Sequence, residues 1–136
     1  MKKIPCVMMR GGTSRGAFLL AQDLPQEEKL RDEVLIKIMG SGNALEIDGI
    51  GGGNPLTSKV AIISRSNDPK ADIDYLFAQV LVHEQRVDTT PNCGNMLSAV
   101  GAFAIEKGLI NAATPTTRVR IRNVNTNTFI EADIQT

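Results

Sequence analysis

Residues 96–105 of this chain read Met-Leu-Ser-Ala-Val-Gly-Ala-Phe-Ala-Ile, with no charge and Ser98 as the only polar side chain. Ten residues are too few to cross a bilayer, which takes about 20. They are also too long and too rich in alanine and glycine for a strand. A helix that is apolar on all sides has to be buried on all sides. Ser98, Ala99, Gly101, Ala102 and Ala104 are small, so neighbouring backbone can come close, and Gly108 supplies a stop. The run therefore predicts a core helix over about 94–107, enclosed by strands that include 59–64 and 75–83. Its N-terminus is formed by Asn92, Cys93, Gly94 and Asn95.

That placement has chemical consequences. The first turn of a helix exposes unpaired N–H groups and the positive end of the macrodipole. A thiol there is expected to ionise well below its free value of about 8.5, and the same N–H groups suit a substrate carboxylate. The plainer reading of Cys93 is a small buried hydrophobe.

Charge and cysteine usage narrow the classes further. Fifteen basic and fifteen acidic residues cancel, and the sequence pI is near 6.6. No basic stripe or aromatic platform points to nucleic acid. Met-Lys-Lys-Ile-Pro-Cys at the N-terminus lacks the apolar run of a signal peptide. Two distant cysteines and one histidine argue against a disulfide framework and against a zinc site. The expectation is one cytoplasmic domain with free thiols, no metal and no membrane partner.

Along the chain, 4–9 and 17–20 read as strands around a tight loop, Arg-Gly-Gly-Thr-Ser-Arg-Gly. Such a loop is either an ordinary hairpin turn or a place where glycine lets the backbone approach a ligand beside hydroxyls and arginines. Asp23 or its neighbour is placed to cap a helix beginning with Pro25 in its first turn. Leu30, Val34, Ile38, Leu35 and Met39 then give that helix one apolar side, and Gly40 ends it. The glycine-rich 41–58 segment is not a phosphate loop, because Ser58 rather than glycine precedes Lys59 and a strand, not a helix, follows. It is read as a polar wall that delivers Lys59 at a strand start. A turn is expected at Asn67-Asp68-Pro69, a long buried strand over 73–82, and His83 at that strand's rim. Arg118, Arg120 and Arg122 alternate along a last hairpin with its turn at Asn125-Thr126-Asn127, and their face reads as solvated.

Three loops thus carry polar, glycine-bearing motifs: Met-Met-Arg-Gly-Gly-Thr-Ser-Arg-Gly (8–16), Asp-Gly-Ile-Gly-Gly-Gly-Asn-Pro-Leu-Thr-Ser-Lys (48–59) and Thr-Pro-Asn-Cys-Gly-Asn-Met (90–96). Together they resemble the methylaconitate isomerase and oxalomesaconate tautomerase family, over the whole chain and in order. The resemblance implies an α/β (α+β) diaminopimelate-epimerase-like fold, a mostly antiparallel mixed sheet wrapped around a buried central helix. It implies cofactor-independent proton transfer next to a carboxylate or carbonyl, moving a double bond in a small unsaturated di- or tricarboxylic acid. Lys59 and Cys93 match the family's acid/base pair. Arg10, Thr13, Ser14, Arg15, Asn54, Ser58, Asn92, Gly94 and Asn95 fall in its substrate-contacting loops, and Arg15 stands where members often carry lysine.

Family members are more than twice as long, so residues 1–136 are expected to be most of the N-terminal domain of a two-domain isomerase. The partner expected is a small anionic organic acid. An open sheet edge and an apolar flank would also favour a homo-oligomer. The rival reading is a non-catalytic half-domain that binds an organic acid or a partner protein without turning it over.

Overall fold

The computed structural model describes residues 4–11, 14–40, 58–81, 84, 86–89 and 94–136, with Asn95 and Ser98 described in their backbone only. Among these residues a single mixed sheet of seven strands is flanked by two α-helices. The strands are β1 (Val7–Gly11), β2 (Ser14–Leu20), β3 (Lys59–Arg65), β4 (Ile73–Val80), β5 (Val87–Asp88), β6 (Thr116–Asn123) and β7 (Thr128–Gln135). The helices are α1 (Glu28–Met39) and α2 (Gly94–Glu106). Spatial order is β1-β2-β3-β4-β6-β7, with β5 beside the end of β4. Four pairings are antiparallel; β2–β3 and β4–β6 are parallel.

Strand alternation divides the core into two layers. On the inner face Phe18, Ile63, Tyr75, Phe77, Val119 and Ile121 pack with Met96, Val100, Phe103 and Ala104 of α2. Phe18 and Phe103 meet with ring centroids 5.5 Å apart and planes tilted by 46°. α2 touches β1, β2, β3 and β7, so the sheet curls around it as the apolar run predicts. Burial on all sides does not hold, however: Leu97, Ala102 and Ile105 are partly exposed. These three share one side of the helix at 100° per residue, the side the sheet leaves open.

Small residues set the closeness of this packing. A Cβ at Gly101 would lie 2.8 Å from Ile134 Cδ1 on β7, and one at Gly16 would lie 2.2 Å from Met96 Cε and 2.6 Å from the Lys59 carbonyl oxygen.

On the outer face Leu35 and Met39 of α1 cover Ala17, Leu19, Val60, Ile62, Ala78 and Val80. The expected start of this helix at Pro25, capped by Asp23, is not what forms. Ala21–Asp23 make a 3-10 turn, Leu24 is extended, and α1 begins at Glu28 after Glu27 without a side-chain cap. Leu24 precedes proline, which disfavours helical backbone there, and its own side chain is buried against the outer layer. Leu30 is 47% exposed; it lies half a turn from Met39 around the helix. Gly40 (φ 73°) and Gly108 (φ 72°) end α1 and the α2 region in the left-handed conformation, as expected of glycine at these stops.

Beyond α1, the outer face of β6 and β7 is open to solvent and carries ion pairs. Arg118 is bonded to Asp133, Arg120 to Asp72 and Arg122 to Asp74, each through two guanidinium nitrogens. The expected solvated arginine face is thus at least partly exposed but matched by carboxylates, Arg118 lying 3.7 Å from Glu131 as well. The strand expected over 73–82 ends at Val80, and Leu81 N–H bonds to the Arg86 carbonyl. The last hairpin turns where expected, with Asn127 at φ 52°.

Candidate active site

The site is built where β2, β3 and α2 begin. β1 and β2 form a hairpin with Gly11 opposite Ser14, so only two residues connect them. β3 then runs parallel to β2 with Gly16 beside Lys59, and antiparallel to β4 with Lys59 opposite Gln79. Lys59 has the strand parity of Ala61 and Ile63, which places its side chain on the inner face. Its Nζ stands 5.7 Å from the centre of the Phe77 ring, a cation–π approach.

Gly16 brings the helix to the lysine. With no side chain there, Met96 in the first turn of α2 settles over the β2–β3 pair at the level of Lys59. The head of α2 contains no acidic residue in its first turn, so its N–H groups and dipole face a region without a local counter-charge from that turn.

The hydroxyls flanking this point are buried. Ser14 has the inner-face parity of Gly16 and Phe18 and is fully buried, as is Ser58 immediately before Lys59. The Ser58 carbonyl accepts hydrogen bonds from Val80 N–H at 3.1 Å and from Gln79 Nε2 at 3.0 Å. These bonds fix the backbone where the 41–58 segment enters β3.

The sheet separates other residues that the motifs group together. Arg10 and Arg15 are register partners on β1 and β2. Their parity is that of the outer face, opposite to Ser14 and Lys59, and both are exposed. A two-residue hairpin with strict alternation would have indicated this, since Ser14 and Arg15 are neighbours and must point apart. Thr13, Asn54, Asn92, Cys93 and the Asn95 side chain lie outside the described residues, as does His83. Gly94 is the first residue of α2.

Asn125, which the sequence marks only as a turn residue, makes a longer-range set of bonds. The Asn125 side chain accepts from Phe77 N–H at 2.7 Å, donates to the Phe77 carbonyl at 2.9 Å and donates to the Thr89 carbonyl. Both partners are distant in sequence, and an Asn-Thr-Asn turn gives no sign of them.

The cleft on the outer face is of a different kind. It is lined by Leu24, Arg31, Leu76, Asp74, Arg122 and Val124. Its charged groups already hold one another or a neighbour, Arg122 to Asp74 at 2.8 Å and Arg31 to Asp32 at 3.1 Å. Among the described residues no group of three or more His, Cys, Asp or Glu is arranged to hold a metal, and no helix is long and apolar enough to cross a membrane.

Comparison with known proteins adds the following. The chain is 82% identical over 136 residues to the Escherichia coli protein named "Putative isomerase YbhH", covering 100% of this chain and 39% of that protein. It is 55% identical over 134 residues to the 4-oxalomesaconate tautomerase of Pseudomonas putida, covering 98% of this chain and 37% of the relative. The chain therefore spans about two-fifths of the length of the curated relatives it matches. Among solved structures, methylitaconate-delta-isomerase superposes with a TM-score of 0.96 at 48% identity, over 99% of this chain and 60% of that one. A probable proline racemase from Agrobacterium radiobacter, at 15% identity, matches with a TM-score of 0.63 over 98% of this chain and 38% of that one, a likeness of fold. The fold is the diaminopimelate-epimerase-like one implied by the motifs. The family model described as PrpF protein matches residues 1–136, and the chain belongs to that family.

Proposed function

We propose that this chain forms the N-terminal domain of a two-domain, cofactor-independent isomerase acting on a small unsaturated di- or tricarboxylic acid. The observation that supports the reading is the packing of Met96 onto Gly16 beside Lys59, in which the starts of β2, β3 and α2, far apart in sequence, come together. The names of the relatives supply the substrate class: one is a 4-oxalomesaconate tautomerase, one a 3-methylitaconate isomerase of Eubacterium barkeri and one a 2-methyl-aconitate isomerase of Shewanella oneidensis.

In this reading Lys59 and Cys93 are the acid/base pair. One group takes the allylic proton of the substrate, and the C–H electron pair spreads into the conjugated carboxylate or keto group. The other returns a proton at the same or a neighbouring carbon, and the double bond moves with it. No oxidant or second substrate is needed, since the product is an isomer. The N–H groups at the head of α2, from Gly94 and Asn95, hold a substrate carboxylate together with Asn92, Asn54, Thr13 and the hydroxyls of Ser14 and Ser58. Arg10 and Arg15, on the outer face, contribute positive potential at the hairpin tip rather than the central contact.

The test is exchange with solvent. The full-length protein, incubated in heavy water with 4-oxalomesaconate, 3-methylitaconate and 2-methylaconitate in turn, should place deuterium in the product of at least one acid. Binding of an acid without exchange or isomerisation would instead support a non-catalytic acid-binding domain and end this proposal.

A further inference from the structure

We infer that Asn125 is a positioning residue for the site proposed above: its side-chain amide stands in for a missing stretch of strand beside Phe77 and ties Thr89 to the strand that carries the ring near Lys59. The inference rests on that reading of Lys59, and the geometry is independent of it.

The parallel register of β4 and β6 pairs Ile73 with Ile121, Asp74 with Arg122 and Tyr75 with Asn123. Continued by two residues, it would set Phe77 beside Asn125. The backbone does not continue. Val124 N–H still bonds to the Tyr75 carbonyl at 2.9 Å, and then Asn125 N–H bonds to the Asn123 side chain at 3.1 Å as the chain turns away. Farther along the same edge, β5 pairs with β4 only at Gln79 and Val80. The N–H and carbonyl of Phe77 thus fall in the gap between β6 and β5.

The Asn125 amide fills that gap, because a primary amide has the same donor and acceptor as a peptide group. Its Oδ1 takes the Phe77 N–H at 2.7 Å and its Nδ2 meets the Phe77 carbonyl at 2.9 Å. The remaining Nδ2 proton goes to the Thr89 carbonyl. The orientation of the amide follows from its partners, since reversing it would set NH₂ against N–H and oxygen against two carbonyls.

Two parts of the site therefore share one anchor. Phe77 bears the ring 5.7 Å from Lys59 Nζ, and Thr89 stands five residues before α2 starts at Gly94. Loosening Asn125 should let both move without removing any group that touches substrate.

The experiment uses the full-length protein, with the three acids named above as probes, and reads kcat and KM separately. Asn125→Ala should lower kcat about 10- to 100-fold and leave KM within about threefold, because misplacement of reacting groups by about 1 Å costs on the order of 10²-fold. Asn125→Asp keeps the acceptor for Phe77 N–H but sets a carboxylate against two carbonyls, and should lose at least as much. If Asn125→Ala does not fold, Asn125→Gln, with the amide on a longer stem, must show the same kcat-selective loss. Wild-type kcat in a folded variant, or a loss confined to KM, overturns the inference. A wild-type protein inert toward all three acids would remove the proposed function instead. Acylation of Lys59 by acetic anhydride, measured against Lys29, then decides: a severalfold change in Asn125→Ala supports the positioning role, and an unchanged ratio rejects it.

Discussion

Toward α2 the sheet is aromatic and tightly packed, while its outer face is divided between a small aliphatic layer under α1 and an open field of ion pairs on β6 and β7. The inner layer includes Phe18, Tyr75, Phe77 and Phe103, all essentially inaccessible, and closes on glycines at positions 16 and 101. The outer layer is held by Leu35 and Met39, and farther along by Arg118, Arg120 and Arg122 with their carboxylates. Both faces place cations at strand positions, but to different ends. The β6 arginines lie over aspartates on a surface where either partner can hydrate. Lys59 stands over an aromatic ring beside a helix head, on the tightly packed inner face. The proposed chemistry draws on the tightly packed face, since reacting groups have to be held by their surroundings.

Substitutions can break this contrast, and the largest effect is expected at the centre of the inner face. Phe103→Ala removes a fully buried ring that contacts Phe18 and should cost about 3–5 kcal/mol in chemical denaturation. A cost near zero would mean that α2 is not the centre of the core.

The two glycines sharpen the point. Gly16→Ala drives a methyl into Met96 and the Lys59 carbonyl, and the latter is backbone that cannot step aside. About 1–3 kcal/mol should be lost, as for overpacking elsewhere. At Gly101 the obstacle is the end of the Ile134 side chain. A helix gain of about 1 kcal/mol for alanine over glycine should offset the local shift, so Gly101→Ala should lie within about 1 kcal/mol of the parent. Reversal of that order would contradict the packing described.

On the outer face the effects are smaller and depend on pH. The Arg120 hydrogen bond holds Asp72 below the ordinary carboxylate value, against the cost of burial. Burial pushes Asp74 up, but the bonds from Arg122 and Ser66 and the arginine's charge outweigh it, leaving the carboxyl lowered. Asp133 is lowered by Arg118. A carboxyl depressed in the folded state stabilises fully above its unfolded pKa, and that stability is lost as pH falls through the folded value. The melting temperature should therefore decline below about pH 4, and Asp74→Asn should flatten that decline while costing about 1.5 kcal/mol at neutral pH. Arg118, with 62% of its side chain exposed, should matter least; Arg118→Ala should leave the melting temperature at neutral pH nearly unchanged.

Much of this arrangement is legible in the sequence, and the exceptions share a cause. The uncharged 96–105 run dictates a buried helix, the strict alternation of 118–122 a strand, and Gly40 and Gly108 the ends they make, because each is a local pattern with one physical outcome. The start of α1 is harder to read: Asp23-Leu24-Pro25 looks like a cap, but the proline after Leu24 and the burial of the Leu24 side chain together keep the chain extended. The arginine partners Asp72 and Asp74 sit 48 residues upstream and meet β6 through a parallel pairing that no local pattern announces. Asn125 is the sharpest case, a turn residue by composition whose partners lie 48 and 36 residues away. Of the candidate site, Lys59 at the head of a strand was readable from its flanking residues. The separation of Arg10 and Arg15 from Ser14 required the hairpin register.

The central claim is that the inner-face edge at Lys59 carries the proton transfer. It is tested most directly by Lys59→Met in the full-length protein, measured as deuterium incorporation into whichever of the three acids the parent isomerises. Methionine keeps much of the stem and removes the base, so exchange should fall by at least about 10²-fold while the melting temperature and weak acid binding persist. Exchange at the parent rate in a folded Lys59→Met protein would contradict the assignment and leave Lys59 a packing residue at the start of β3.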